Sequence, residues 1–175
     1  NQVRVGSNGV ITFNTAVGPP VCNGLDFCPW AWGGTIPNPG FPIRNAIYGV
    51  YQDTDIGAGV VALDAIPDNI QKVNYYVLDT GVNAAPNRVF VANFNELPQF
   101  QCHANNGVQT SQIVLHEGTN IIEVFVNKRT PCNTWQNGVG VIGVQNAAGS
   151  IAVAAPGRNG GNWTANNEAW RFYPR

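Results

Sequence analysis

Charged residues are scarce in this chain. Only 11% of its 175 residues are Asp, Glu, Lys or Arg, well under the usual share of about a quarter. The formal net charge is -1, and no basic run occurs. The sequence therefore lacks the electrostatic pattern of a protein that binds nucleic acid or an anionic membrane surface. Its polarity comes instead from Asn, Gln, Thr and Gly, which favours an extracellular setting.

Long apolar runs and methionine are also missing. No run approaches the ~18 residues that a membrane-spanning helix needs, so membrane insertion is not expected. With Met 0, the chain does not begin at its own start codon, and no signal peptide is present. We therefore expect a mature form or a fragment of a longer protein, with residues 1–175 forming a single domain.

No segment shows a convincing helical period. Short β-branched and aromatic runs alternate with turn residues instead, and Asn8-Gly9 is a strong hairpin signal. This pattern predicts an all-β, antiparallel β-sandwich with long loops. The strands are predicted at Val3–Val5, Val10–Phe13, Ala46–Gln52, Lys72–Leu78, Arg88–Phe94, the two arms of a hairpin within Ser111–Val126, Gly138–Gln145, Ser150–Ala154 and Trp170–Tyr173.

The four cysteines indicate two disulfides in an exported protein. Of the three pairings that four cysteines allow, we favour the sequential one, Cys22–Cys28 and Cys102–Cys132. On loop entropy alone these bonds would contribute about 2 and about 4 kcal/mol. A metal site is the alternative, but no pair has C-x-x-C spacing and the chain has only two histidines.

His116-Glu117 resembles the opening of a zinc-protease helix. That motif needs a second histidine four residues later, where this chain has Asn120. The β-branched flanks predict a hairpin with its turn at Glu117–Asn120, so we expect His116 at a strand end without a chemical role. His103 lies beside Cys102, and a disulfide at that cysteine would remove any thiol for the imidazole to polarise. No catalytic residue is predicted.

Asp53-Thr54-Asp55-Ile56-Gly57 is the candidate metal site. Two carboxylates two residues apart, followed by glycine, can wrap a calcium ion, and Asp64 or Asp68 could join them. The alternative is a pair of solvated turn aspartates, because the EF-hand pattern is not completed. No cofactor other than calcium is suggested.

Four tryptophans fall in predicted loops: Trp30, Trp32, Trp135 and Trp163. Loop tryptophans can stack on sugar rings while nearby amides bind hydroxyls, so these residues form a candidate glycan-binding set. The alternative is that they plug gaps over the core.

The chain also resembles the gliding motility-associated, nidogen-like adhesin modules of large surface proteins in gliding bacteria. The match begins with Val5-Gly6-Ser7-Asn8-Gly9 and the aspartates of Asp53-Thr54-Asp55. It continues in the same order through Pro86-Asn87-Arg88, Phe100-Gln101-Cys102, Thr110 to Glu117, Asn120 to Val124, Cys132 to Gly138, Pro156-Gly157-Arg158-Asn159 and Trp170-Arg171-Phe172.

This resemblance implies a nidogen-like or jelly-roll-like sandwich that is secreted to the bacterial cell surface by the type IX route. It implies a non-enzymatic role in surface attachment or gliding, with other domains of the same large protein or a secretion or surface partner as neighbours. The alternatives are a carbohydrate-binding domain, with or without calcium dependence, and a hydrolase. Arg88, Arg158 and Arg171 each fall in a matched segment, and we expect them to tie loops to carbonyls or acidic partners.

Overall fold

The computed structural model describes residues 2–14, 34–41, 43–55, 72–102 and 108–174. Within these ranges the chain forms ten strands and two short 3-10 turns. No helix there is long and apolar enough to cross a membrane. The strands are β1 (Arg4–Gly6), β2 (Val10–Thr12), β3 (Ala46–Tyr51), β4 (Lys72–Leu78), β5 (Val89–Pro98), β6 (Val108–His116), β7 (Ile122–Arg129), β8 (Val139–Gln145), β9 (Ala152–Asn162) and β10 (Ala165–Phe172).

The strands form two five-stranded antiparallel sheets. Sheet 1 has the order β1-β2-β3-β8-β9, and sheet 2 has the order β10-β7-β6-β5-β4. They pack face to face as a sandwich. The predicted all-β antiparallel fold is therefore confirmed.

The inner faces of both sheets share one apolar core. Period-2 alternation in β6 and β7 turns Ile113, Val124 and Val126 inward. These side chains meet Ile47, Ile142 and others from sheet 1. Gly49 of β3 lies where a Cβ atom would come within 2.8 Å of the Ile113 Cγ1 atom, so the absence of a side chain lets the sheets approach.

The outer face of sheet 1 carries a second core, which we call the outer cluster. It consists of Val10, Ile36, Phe41, Ile43, Ala46, Tyr48, Tyr51 and Val141. Residues 34–41 and 43–45 cover this face, and the Asn159 side chain holds the first of these segments by exchanging two 2.8 Å hydrogen bonds with the backbone of Ile36. Every residue of β3 is buried as a consequence.

The hairpin prediction for Ser111–Val126 is confirmed. β6 ends at His116 and β7 begins at Ile122, and the turn places Asn120 at φ 54°.

The prediction for β9 was wrong at its C-terminal end. A strand ending at Ala154 was expected, whereas β9 runs to Asn162. Pro156-Gly157 suggested a loop, but two register shifts against β8 and the positive φ of Gly157 accommodate those residues within the strand. Arg158 therefore lies in a strand and not in the loop that we expected it to pin.

Candidate functional site

Asp53 lies just beyond the end of β3 and is buried, with only 7% of its surface exposed. Its Oδ2 atom accepts a 2.7 Å hydrogen bond from the Trp135 indole Nε1. Burial raises the pKa of Asp53 to about 6, the Trp135 hydrogen bond opposes that rise, and the nearby charge of Asp55 adds to it. The carboxyl is thus held partly desolvated at one end of the sandwich.

The backbone of this aspartate turn is fixed on two sides. Asp53 accepts a hydrogen bond from the Phe100 amide, and the Asp55 amide donates to the Pro98 carbonyl, both at 2.9 Å. The Thr54 amide and hydroxyl both donate to the Asn8 Oδ1 atom in the β1–β2 turn, at 3.0 and 2.9 Å. The turn therefore joins the start of sheet 1 to the end of β5.

Calcium binding by Asp53 and Asp55 stays a prediction. One Asp53 oxygen already accepts the Trp135 N–H. Among the residues that the structure describes, no three His, Cys, Asp or Glu side chains come together as a metal site. Asp64 and Asp68, named as further ligands, lie outside the described residues.

The disulfide between Cys102 and Cys132 is confirmed, with its Cα atoms 5.6 Å apart. It joins the segment after β5 to the segment after β7. The Cys132 amide also donates to the Gln99 Oε1 atom at 2.8 Å, so a hydrogen bond reinforces the link. Cys22 and Cys28 lie outside the described residues, as does His103, and the pairing of the first two cysteines stays a prediction.

The two described tryptophans of the candidate glycan set have partners within the fold. Trp135 is half-buried and packs on Phe100 with ring centroids 4.7 Å apart. Trp163 is 7% exposed, and its Nε1 donates to the Gly140 carbonyl at 3.0 Å. The Trp163 ring lies under the guanidinium groups of Arg129 and Arg158, at 3.9 and 4.9 Å from its centroid. Trp30 and Trp32 lie outside the described residues.

Sequence reasoning missed Arg129, the last residue of β7. It is 1% exposed and donates hydrogen bonds to the Gln52 side chain at 2.9 Å, the Gly138 carbonyl at 2.7 Å and the Trp163 carbonyl. Burial, and to a smaller extent the charge of Arg158, lower its pKa to about 9. Arg129 therefore connects the end of β7 in sheet 2 to Gln52, which follows β3 of sheet 1, and to the segments before β8 and after β9. From the sequence, Lys128-Arg129 would be expected to be an exposed polar pair.

Gly140 makes room for this arginine. A Cβ atom there would lie 2.5 Å from the Arg129 Nη2 atom, which is closer than real Cβ contacts. Gly140 is thus the sequence feature that accompanies the buried guanidinium. Its role can be recognised only once the packing of the two sheets is known.

The other three arginines have acidic partners, as expected, but only Arg88 ties a loop, because Arg158 and Arg171 lie in strands. Arg88 pairs with Glu117, Arg158 with Glu168 and Arg171 with Glu123. These contacts connect β5 to the β6–β7 turn, β9 to β10, and β10 to β7.

His116 ends β6 and contacts Glu123 at the rim of a shallow groove that Leu115, Glu117 and Ile122 also line. Its Nε2 atom lies 2.7 Å from the Glu123 Oε2 atom, while Arg171 bonds the other oxygen of that carboxylate. Burial raises the pKa of Glu123, but the hydrogen bonds from His116 and Arg171 outweigh it and leave the pKa below its usual value. The placement at a hairpin end agrees with the expectation.

A further polar feature, which the sequence did not reveal, crosses the outer face of sheet 2. Asn74, Asn93 and Gln112 lie side by side on β4, β5 and β6. Asn93 Nδ2 donates to Asn74 Oδ1 at 2.8 Å, and Gln112 Nε2 donates to Asn93 Oδ1 at 2.6 Å. We call these three side chains the amide row. They line a groove of about 190 Å³ together with Asn95 and Thr110.

Two antiparallel sheets and the disulfide between Cys102 and Cys132 define the class: a disulfide-stabilised β-sandwich module. Comparison with protein families assigns the module to a family, because the family model described as NIDO related matches residues 1–169. The chain belongs to that NIDO-related family, a nidogen-like domain that indicates an extracellular module. No curated protein and no solved structure matches the chain.

Proposed function

We propose that this chain is a non-enzymatic recognition module of a large secreted protein, serving attachment at a bacterial cell surface. The observation that carries the proposal is the family match over residues 1–169 on a sandwich whose Asp53, His116 and Glu123 side chains are engaged in internal hydrogen bonds. Carboxyl and imidazole groups such as these are what an acid–base or metal-dependent hydrolase would need to present to a substrate.

The finer part of the proposal concerns cellular context. The ordered motifs shared with gliding-associated modules support export by the type IX route and a role in attachment or gliding. A low charge fraction of 11% and the Cys102–Cys132 disulfide support an oxidising, extracellular location. The neighbours would be other domains of the same protein or a surface partner.

Adhesion under flow tests the proposal. Beads coated with the folded chain should be retained on bacterial surface material at shear that removes beads coated with the reduced and alkylated chain. Equal retention of both bead types would contradict a folded recognition module. Turnover of peptide or glycoside substrates by the purified chain would contradict the non-enzymatic assignment.

The cellular context needs a separate experiment. In the native bacterium, removal of the type IX secretion system should leave the protein inside the cell. Continued appearance of the protein at the surface would contradict that route and would leave the adhesion role to be judged by the flow assay.

A further inference from the structure

We infer that the outer face of sheet 2 binds a neutral oligosaccharide along the amide row. This inference rests on the proposed function and names the ligand class for it. The sequence alone suggested sugar binding by loop tryptophans. The geometry points to a different surface, formed by Asn74, Asn93 and Gln112.

The first argument is the hydrogen-bonding state of the row. Asn93 uses both its Nδ2 and its Oδ1 atoms within the row, whereas Asn74 uses only its Oδ1 and Gln112 only its Nε2. Within the described part of the chain, Asn74 Nδ2 and Gln112 Oε1 make no hydrogen bond, so one end of the row offers donors and the other an acceptor. Because each amide is held by the next, its orientation is set before a ligand arrives, which lowers the entropy cost of binding. Sugar hydroxyls both donate and accept, and they match such a row.

The second argument is the apolar surface next to the amides. Phe125 lies directly beside Gln112 across the β6–β7 ladder and is 38% exposed. Tyr76 follows Asn74 by two residues on the same face of β4 and is 43% exposed. An aromatic side chain at either flank can pack on the C–H face of a sugar ring while the amides bind its hydroxyls.

The third argument is charge. Among the residues that the structure describes, the groove is lined by amide, hydroxyl and apolar side chains, and none of these is charged. Glu96 follows the groove-lining Asn95, and its amide donates to the Thr110 Oγ1 atom at 3.1 Å. Glu123, also on this face, is occupied by Arg171 and His116. Lys128 lies opposite Thr110 at the end of the groove without lining it. A neutral ligand therefore fits the row better than an acidic one.

The spacing of the strands also suits an extended chain of sugars. Adjacent strands lie about 4.8 Å apart, so the three amides present hydrogen-bonding groups at regular intervals across the sheet. An oligosaccharide lying perpendicular to the strands would meet one amide after another and end on Phe125.

Binding should be measured by calorimetry with neutral and acidic oligosaccharides selected on a glycan array. Asn93→Ala removes the central amide and should weaken binding of a neutral glycan by about tenfold or more, the value of one or two hydrogen bonds. Phe125→Ala should weaken it similarly. The matched control is Asn127→Ala, an exposed amide on the same face that bonds Asn167 outside the groove, which should change affinity by less than about twofold.

A direct readout comes from NMR. The side-chain amide signals of Asn74, Asn93 and Gln112 should shift on addition of the glycan, while that of Asn127 should not. Equal loss of affinity in Asn93→Ala and Asn127→Ala would overturn the inference. Preference for acidic glycans that is lost in Lys128→Gln would also overturn it, because the charge and not the row would then select the ligand.

The flow assay separates this inference from the proposed function. In one outcome, beads that carry Asn93→Ala are retained as well as wild-type beads while neither protein binds a glycan. That result would overturn glycan binding by the amide row and leave the adhesion role in place. Loss of retention by the wild-type chain itself would overturn the proposed function.

Discussion

The outer faces of the two sheets differ in what lies on them. Residues 34–41 and 43–45 cover the outer face of sheet 1. The rings of Phe41, Tyr48 and Tyr51 pack there edge to face or tilted, with centroids within 6.4 Å of one another. The groove on the outer face of sheet 2 holds an uncharged amide row. One face contributes to stability and the other presents hydrogen-bonding groups, so the two should respond differently to mutation.

The largest expected difference between the faces is in stability. Phe41 is 2% exposed, and Phe41→Ala should lower the free energy of unfolding by about 3–5 kcal/mol, because it removes a buried ring and leaves a cavity. Phe125→Ala, on the open face, should cost about 1 kcal/mol or less. Urea titrations of both variants give the comparison. Equal losses would show that the outer cluster is not a second core.

A second test concerns the residue that connects the two sheets. Arg129→Met should cost about 3 kcal/mol, because Gln52 Oε1 and the carbonyls of Gly138 and Trp163 lose their donor in a buried site. Arg44→Met is the control, since Arg44 makes one long 3.4 Å bond at the surface, and it should stay within about 0.5 kcal/mol. A similar loss in both variants would contradict a specific role for Arg129.

The third test uses pH to probe the end of sheet 1. Burial raises the pKa of Asp53 from 3.8 to about 6, so the folded state binds a proton more readily than the unfolded chain. This group therefore favours folding most below pH ~4, and that contribution is lost as pH rises through about 6. Relative to Asp53→Asn, wild type should lose about 1–3 kcal/mol across that window.

Denaturation of wild type and Asp53→Asn at matched pH values measures this difference. Asn keeps an acceptor for the Trp135 N–H, so the variant should fold. Parallel stability curves from pH 3.5 to 7.5 would show that Asp53 is not desolvated in the native state.

The smallest expected effect concerns the side of the sandwich where the chain passes from β9 in sheet 1 to β10 in sheet 2. Arg158→Ala breaks the pair with Glu168, whose side chains are 20% and 23% exposed, and uncovers one face of Trp163. The melting temperature should fall by about 2–4 °C, which corresponds to about 1 kcal/mol in a chain of this length. Unchanged melting with loss of surface attachment would assign Arg158 to a binding site instead.

Much of the fold was readable from local sequence. β-Branched runs and Asn-Gly turns predicted most strands, because these residues have intrinsic backbone preferences that act locally. The end of β9 was not predictable in this way. Pro156 and Gly157 normally interrupt a strand, and only pairing with β8 through register shifts keeps them in one.

Some features of the candidate sites could likewise be predicted from the sequence, and others could not. The cysteine count predicted disulfides, but the Cys102–Cys132 pairing was a choice among three that the structure confirms. The amide row could not be found, because Asn74, Asn93 and Gln112 are 38 residues apart at most in a sequence rich in Asn and Gln. Their proximity depends on the register of three strands.

The sequence by itself determined the class of protein: composition, turn chemistry and period-2 alternation act locally and specify an exported, disulfide-linked β-sandwich. The tertiary structure decided which polar groups are buried and which face outward. Arg129 and Lys128 are neighbours in the same strand, yet Arg129 is sealed between Trp163 and Gly140 while Lys128 is exposed. Burial depends on which residues of distant strands pack against a side chain, and that information is absent from any single segment of the sequence.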